Sequence, residues 1–95
     1  MYVVVRSYSG AGASELFDLI EQSEQEIREL ISGVPGFTTY AAFRSGDGGT
    51  TVTVCQDKAG TDESSNRAAA WIKENASGTS VSPPEITEGS TVLQF

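Results

Sequence analysis

The sequence predicts an α+β fold of the ferredoxin-like βαββαβ type: a four-stranded antiparallel sheet with two helices on one face. Three observations predict it. Runs rich in Val, Thr and Tyr recur four times along the 95 residues, at 2–8, 37–44, 50–56 and 85–95. Two stretches of helical periodicity separate the first run from the second and the third from the fourth. The two middle runs are joined by Ser45-Gly46-Asp47-Gly48-Gly49, a hairpin signal in which glycine supplies positive φ at little steric cost.

Each element follows from its residues. Tyr2 to Tyr8 lacks helical period and is closed by Ser9-Gly10-Ala11-Gly12, so it reads as a strand. From Ser14 the apolar residues Leu16, Ile20, Ile27, Leu30, Ile31 and Val34 fall at helical spacing, with acids and amides on the opposite side. Glu15 and Asp18 suit the positive end of a helix dipole, and Gly33 with Pro35 stops the chain, which predicts one helix of about 18 residues. Phe37 to Arg44 and Thr50 to Gln56 are the paired middle strands. Thr61-Asp62-Glu63 is read as the cap of a second helix that carries Ala68, Trp71 and Ile72 and ends at Gly78. Ser77 to Pro84 is a polar connector, and Glu85 to Phe95 is the last strand, with a bulge or bend at Gly89 and its firmest part at Thr91 to Phe95.

Composition narrows the function. The length fits a single domain over 1–95, with 38% hydrophobic and 20% charged residues. Thirteen acids against six bases give a net charge of −7, which repels phosphate backbones and anionic membranes, so no nucleic-acid or membrane partner is expected. With no histidine and one cysteine, Ser-His-Asp and Cys-His catalysis, histidine metal sites and an internal disulfide are all excluded. No apolar run approaches the ~20 residues of a membrane span, and a cytoplasmic location is the expectation. Gly10-Ala11-Gly12 matches only part of a dinucleotide fingerprint, and Glu15 and Asp18 would repel a pyrophosphate there. Neither a cofactor nor a metal is expected.

One pattern departs from a sheet with a wet outer face. Tyr2-Val3-Val4-Val5 and Tyr40-Ala41-Ala42-Phe43 are apolar on both faces, so the second face is expected to meet protein as well. A copy of the same sheet would cover it in a two-fold homodimer, and would add burial to a chain short of core.

At this point the chain resembles the antibiotic biosynthesis monooxygenase-type domain of the dimeric α+β barrel superfamily. The residues that carry the resemblance are Pro35-Gly36-Phe37 after a long acidic helix, the strand end Thr51 to Lys58, Ser65-Asn66-Arg67-Ala68-Ala69-Ala70-Trp71-Ile72, and Pro83 to Gly89 before the last strand. The resemblance spans the chain, but its motifs are those of fold and packing. It implies a dimer of facing sheets with a pocket in each protomer between sheet and helices. It also implies one of several activities, among them cofactor-independent oxygenation of phenols and haem degradation. The haem degraders of that superfamily hold iron through a histidine, which this chain lacks.

Cofactor-free oxygenation needs a pocket that excludes water, orients an electron-rich phenol and assists its deprotonation, so that the carbanion passes an electron to O2. The candidate substrate-binding residues are Trp71, Tyr40, Asn66, Ser23 and Arg44, with Tyr8 as a further wall and Arg6 as a second cation for a phenolate. Each also has a plainer reading. Trp71 packs a helix on the sheet, Asn66 is exposed, Ser23 permits close helix approach, and Arg6 and Arg44 are solvated or interfacial near strand ends. Cys55 reads as a small hydrophobe. The expected function is therefore a small-molecule-binding, monooxygenase-like protein acting on an aromatic or phenolic metabolite. The alternative is a non-catalytic dimeric domain that binds a metabolite or a protein partner.

Overall fold

In the computed structural model, which describes residues 1–95, the elements are β1 (Tyr2–Tyr8), α1 (Ala13–Gln22), α2 (Glu24–Ser32), β2 (Phe37–Ser45), β3 (Gly48–Cys55), α3 (Lys58–Asn75) and β4 (Glu85–Ser90), with a 3-10 turn at Ser77–Thr79. The sheet order is β2-β3-β1-β4, and every neighbouring pair is antiparallel. This is the ferredoxin-like arrangement that the element order predicts. No helix is long and apolar enough to cross a membrane.

Alternation along the strands decides what faces the helices. Val4, Arg6 and Tyr8 of β1 are buried together with Thr51, Thr53 and Cys55 of β3, and pairing sets Arg6 beside Thr51 and Val4 beside Thr53. Over this face lie Leu16 and Phe17 of α1, Ile27 and Ile31 of α2, and Trp71 of α3, all buried. The Tyr8 and Phe17 rings meet edge to face at 6.1 Å. Each such apolar side chain taken from water contributes on the order of 1.5–3 kcal/mol. The opposite face carries Val3, Val5, Val52 and Val54, half-buried, and Phe43, which is 53% exposed. No element of the protomer covers that apolar face.

Several boundaries differ from the expected ones. The first helix is not continuous: Ser23, at φ −112° and ψ 27°, separates α1 from α2, although its N–H still reaches the Leu19 and Ile20 carbonyls. The break lets two apolar stripes, each in register with its own part of the sheet, follow the sheet's twist. The middle hairpin is tighter than expected, with Ser45 opposite Gly48 and only Gly46 and Asp47 between them. Helix α3 begins at Lys58, earlier than Thr61, because the Asp57 side chain accepts the Gly60 N–H and so caps the helix.

The last strand ends at Ser90. Gly89 pairs regularly with Val3, and the register irregularity lies instead between Phe37 and Thr39 on β2. Thr91 to Phe95, expected to be the firmest strand residues, lie beyond β4. Thr91 is tied to the Met1 carbonyl, and Val92 and Leu93 are 93% and 77% exposed. Their β-prone composition has no neighbouring strand to pair with inside the protomer, since β1 offers β4 partners only as far as Tyr2.

Two glycines set the spacing of the layers. Gly12, at φ +83°, precedes α1, and a Cβ there would lie 1.9 Å from the Thr79 carbonyl oxygen. Gly60 lies within α3, where a Cβ would meet the Pro35 carbonyl oxygen at 2.3 Å and the Cys55 Cβ at 2.8 Å. In an open helix Gly→Ala stabilises by about 1 kcal/mol. Here the contact is with backbone, and the sign reverses: Gly60→Ala is expected to destabilise by about 1–3 kcal/mol. A lower denaturant midpoint with unchanged slope is the predicted readout; a raised midpoint would contradict the close approach of α3 to β3.

Candidate functional site

Three spaces lie in a row between the sheet and the helices. The largest, about 600 Å³, is a groove between α1–α2 and the edge strand β2, with Ile20, Ile27, Ile31, Phe37 and Tyr40 as its apolar floor and Glu21, Glu24 and Arg28 on its rim. Ile20, Ile27, Ile31 and Tyr40 are also walls of a neck of about 30 Å³, closed by Tyr8, Thr51, Trp71 and Ile72. Tyr8 and Ile72 in turn border a third pocket of about 290 Å³ beside α3 and the connector. The neck has room for one or two water molecules, whereas the groove has the size and apolar lining of a small-molecule site.

The aromatic side chains sit where the sheet face and α3 converge. Trp71 is buried, and its indole N–H donates to the Glu26 carboxylate on α2, so its ring is held as a fixed wall of the neck. Tyr40, on β2, faces both groove and neck. Burial pushes the Tyr40 and Tyr8 phenols above their ordinary pKa, while the positive charge of Arg6 acts in the other direction on both. Both phenols are therefore neutral at pH 7, as hydrogen-bond donors rather than bases.

Arg6 is the residue whose place sequence reasoning missed. It is not solvated at a strand end but 2% exposed, because residue 6 shares the inward phase of Val4 and Tyr8. Its Nε donates to the Thr51 hydroxyl at 3.1 Å, Nη2 to Thr53 at 2.7 Å, and Nη1 to Ser64 at 3.2 Å and Ser65 at 2.8 Å. All four acceptors are neutral, and no carboxylate pairs with it. Burial pulls the Arg6 pKa down, with Tyr8, Tyr40 and Cys55 opposing. The signal was present in the period-two alternation of β1 and in the Thr-Val-Thr of β3, which bring one cation and two hydroxyls to the same face.

The remaining candidates are dispersed. Arg44 faces the helices but stays exposed, clamped by Asp18 and Glu21 of α1; the Glu21 and Asp18 hydrogen bonds raise its pKa. Asn66 is exposed on α3 and borders none of the three spaces. Ser23 forms the break between α1 and α2 and likewise borders none. The structure thus brings Trp71 and Tyr40 together, adds Tyr8 and Arg6 beside them, and leaves Arg44, Asn66 and Ser23 outside. Cys55 is fully buried, and burial pushes its thiol pKa up. No three His, Cys, Asp or Glu side chains come together as a metal-binding group.

No family model matches the sequence, and no curated protein matches it significantly. Solved structures do. A Nitrosomonas europaea protein of unknown function, NE2512, is 23% identical with a TM-score of 0.71, covering 99% of this chain and 90% of its own. The haem-degrader MhuD of Mycobacterium tuberculosis, with two haems bound in its active site, is 16% identical with a TM-score of 0.69, covering 100% and 99%. The ActVA-Orf6 monooxygenase of Streptomyces coelicolor, in complex with nanaomycin D, is 20% identical with a TM-score of 0.67, covering 99% and 89%. The protein therefore has the fold of the antibiotic biosynthesis monooxygenase-like proteins, over its whole length.

The two phenols give the site a pH signature. Because their folded-state pKa lies above the unfolded value, their contribution to stability is fully present below the ordinary phenol pKa of about 10 and is lost as pH rises through the folded values. Absorbance at 295 nm is expected to show two late-titrating phenols above pH 10, with Tyr8→Phe and Tyr40→Phe each removing one. Completion of the titration below pH 10 would contradict the burial of both rings.

Proposed function

We propose that the protein is a monooxygenase-like protein that takes a small aromatic or phenolic metabolite into the α1–α2/β2 groove and oxidises it with O2 without a cofactor. The observation that carries this reading is the 600 Å³ apolar groove ending at a neck of Tyr40, Trp71 and Tyr8, in a fold shared with the Streptomyces coelicolor monooxygenase. A flat ring is held between Ile20, Ile27 and Phe37 while its hydroxyl points to Tyr40, a neutral phenol that can donate to a forming phenolate. The Arg6 charge behind the neck favours that anion, though its guanidinium is occupied by hydroxyls. The chain's part is to bind, exclude water and stabilise the deprotonated ring. The carbanion supplies the electrons, so that a CH2 group and O2 become a carbonyl and water.

The haem chemistry of the Mycobacterium tuberculosis protein does not carry across by residues, because this chain has no histidine for an iron ligand. The open sheet face supports the homodimer half of the reading. Val3, Val5, Val52, Val54 and Phe43 form an apolar surface that a second copy's identical face would cover in an isologous contact. Facing sheets would leave the groove of each protomer, on the helix side, open to ligand.

The test is oxygen uptake by the purified protein with anthrone-type phenols under air. The expected result is uptake that falls by roughly tenfold or more in Tyr40→Phe and in Trp71→Phe, the latter chosen to keep the core filled. No uptake by wild type, with the phenol still bound, would identify the non-catalytic binding domain instead. Equal uptake by wild type and both variants would remove the neck from the mechanism. Light scattering of the same sample should give twice the protomer mass, and a protomer mass would remove the facing-sheet dimer.

A further inference from the structure

The chain has six cationic side chains. Four of them, Arg28, Arg44, Lys58 and Arg67, are paired with carboxylates. The two that are not, Arg6 and Lys73, line one and the same pocket, the 290 Å³ space between α3, the connector and Ile86 of β4. Acids outnumber bases thirteen to six, so a shortage of carboxylates does not explain two unpaired cations at one place.

We propose that this pocket binds a small organic acid through its carboxylate, with an apolar body of about six carbons lying against Ala69, Ile72, Val81 and Pro84. The polar end of the pocket is built for an anion. Ser65 accepts from Arg6 Nη1 at 2.8 Å, and its own hydroxyl hydrogen has no acceptor in the chain, leaving it free to donate towards the pocket. Ser64 differs, since its hydroxyl already donates to the Thr61 carbonyl at 2.7 Å. Lys73 lies eight residues further along α3, about 12 Å along the helix axis, and adds positive charge from the pocket's far side. A carboxylate at this end meets the Ser65 hydroxyl, with the Arg6 guanidinium directly behind it. It supplies the negative charge that the four hydroxyls around Arg6 lack. The other walls are largely apolar, which favours a monoanion with a hydrocarbon body over inorganic phosphate. The volume lies near the lower limit for small-molecule sites. Ile86 pairs with Arg6 on the helix side of the sheet, so a second copy on the open face leaves the pocket accessible.

The pocket is separate from the groove, although Arg6 serves both readings and Tyr8 and Ile72 border both the neck and this pocket, and the test tells the two apart. Amide chemical shifts of the ¹⁵N-labelled protein are followed on adding sodium hexanoate, 1-hexanol or inorganic phosphate at neutral pH. Hexanoate is expected to shift Ser65, Ala69, Lys73 and Val81 saturably, while hexanol and phosphate at equal concentration leave them in place. Lys73→Glu, an exposed substitution, should weaken hexanoate binding by several-fold through the reversed charge, and Ser65→Ala likewise by several-fold. The proposal is overturned if hexanol or phosphate moves the same amides to the same extent, or if Lys73→Glu binds hexanoate as tightly as wild type. Shifts confined to Ile27 and Thr38 would place the acid in the groove, overturning this pocket and leaving the oxygenase reading intact.

Discussion

One guanidinium joins the sheet to its longest helix. Arg6 reaches from β1 to two threonines of β3 and two serines of α3, so a shift of either layer would break several of its bonds at once. Hydrogen bonds to a charged group contribute about 1.5–3 kcal/mol each, while burying the ion costs several kcal/mol. The two terms are of similar size. The net effect on stability is therefore modest, and the larger effect is positional: α3 has one registration over the sheet that satisfies all four hydroxyls. That registration places Trp71 over the inward face of the sheet, where Tyr8 and Tyr40 converge, and it puts a positive charge beside phenols that burial keeps neutral.

The row of spaces follows from that constraint. Small residues let the layers approach at both ends of β3, Gly49 against Phe17 of α1 and Gly60 of α3 against Pro35 and Cys55. Near Tyr40 the break at Ser23 turns α2 along the edge strand, and the layers part into the groove. Close approach over β3 and separation at the edge strand β2 leave a groove that ends at Tyr40, Trp71 and Tyr8, a site that holds a flat molecule by its edge. The arrangement places the candidate chemistry on the helix side and leaves the other side of the sheet free for association.

Much of this was legible in the residues. The four strands, the hairpin and the helix-on-one-face layering follow from alternation, glycine placement and the 3.6-residue period, each a local property. Trp71 and Tyr40 were recognisable as pocket walls because large aromatics at the sheet–helix boundary have few other places to go. Three features were not legible. The break at Ser23 depends on the twist of the sheet underneath, and a helical period runs through it unchanged. The end of β4 depends on the length of β1, so β-prone residues from Thr91 onward have no partner that their own sequence reveals. The third is the place of Arg6: a position near a strand end suggests solvent, and although its inward phase follows from Val4 and Tyr8, burial becomes tolerable only once Thr51, Thr53, Ser64 and Ser65, distant in sequence, are assembled around it.

A charged side chain is held dry between sheet and helix by neutral hydroxyls, and the site's electrostatics depend on it. Hydrogen exchange at the arginine Nε–H, resolved by NMR of the ¹⁵N-labelled protein near neutral pH, tests it directly. The Arg6 Nε–H is expected to exchange with water at least about tenfold more slowly than those of the exposed Arg28 and Arg44. Exchange at Arg6 as fast as at Arg28 would mean that the guanidinium is wet and mobile, and would contradict both the clamp and the electrostatics built on it.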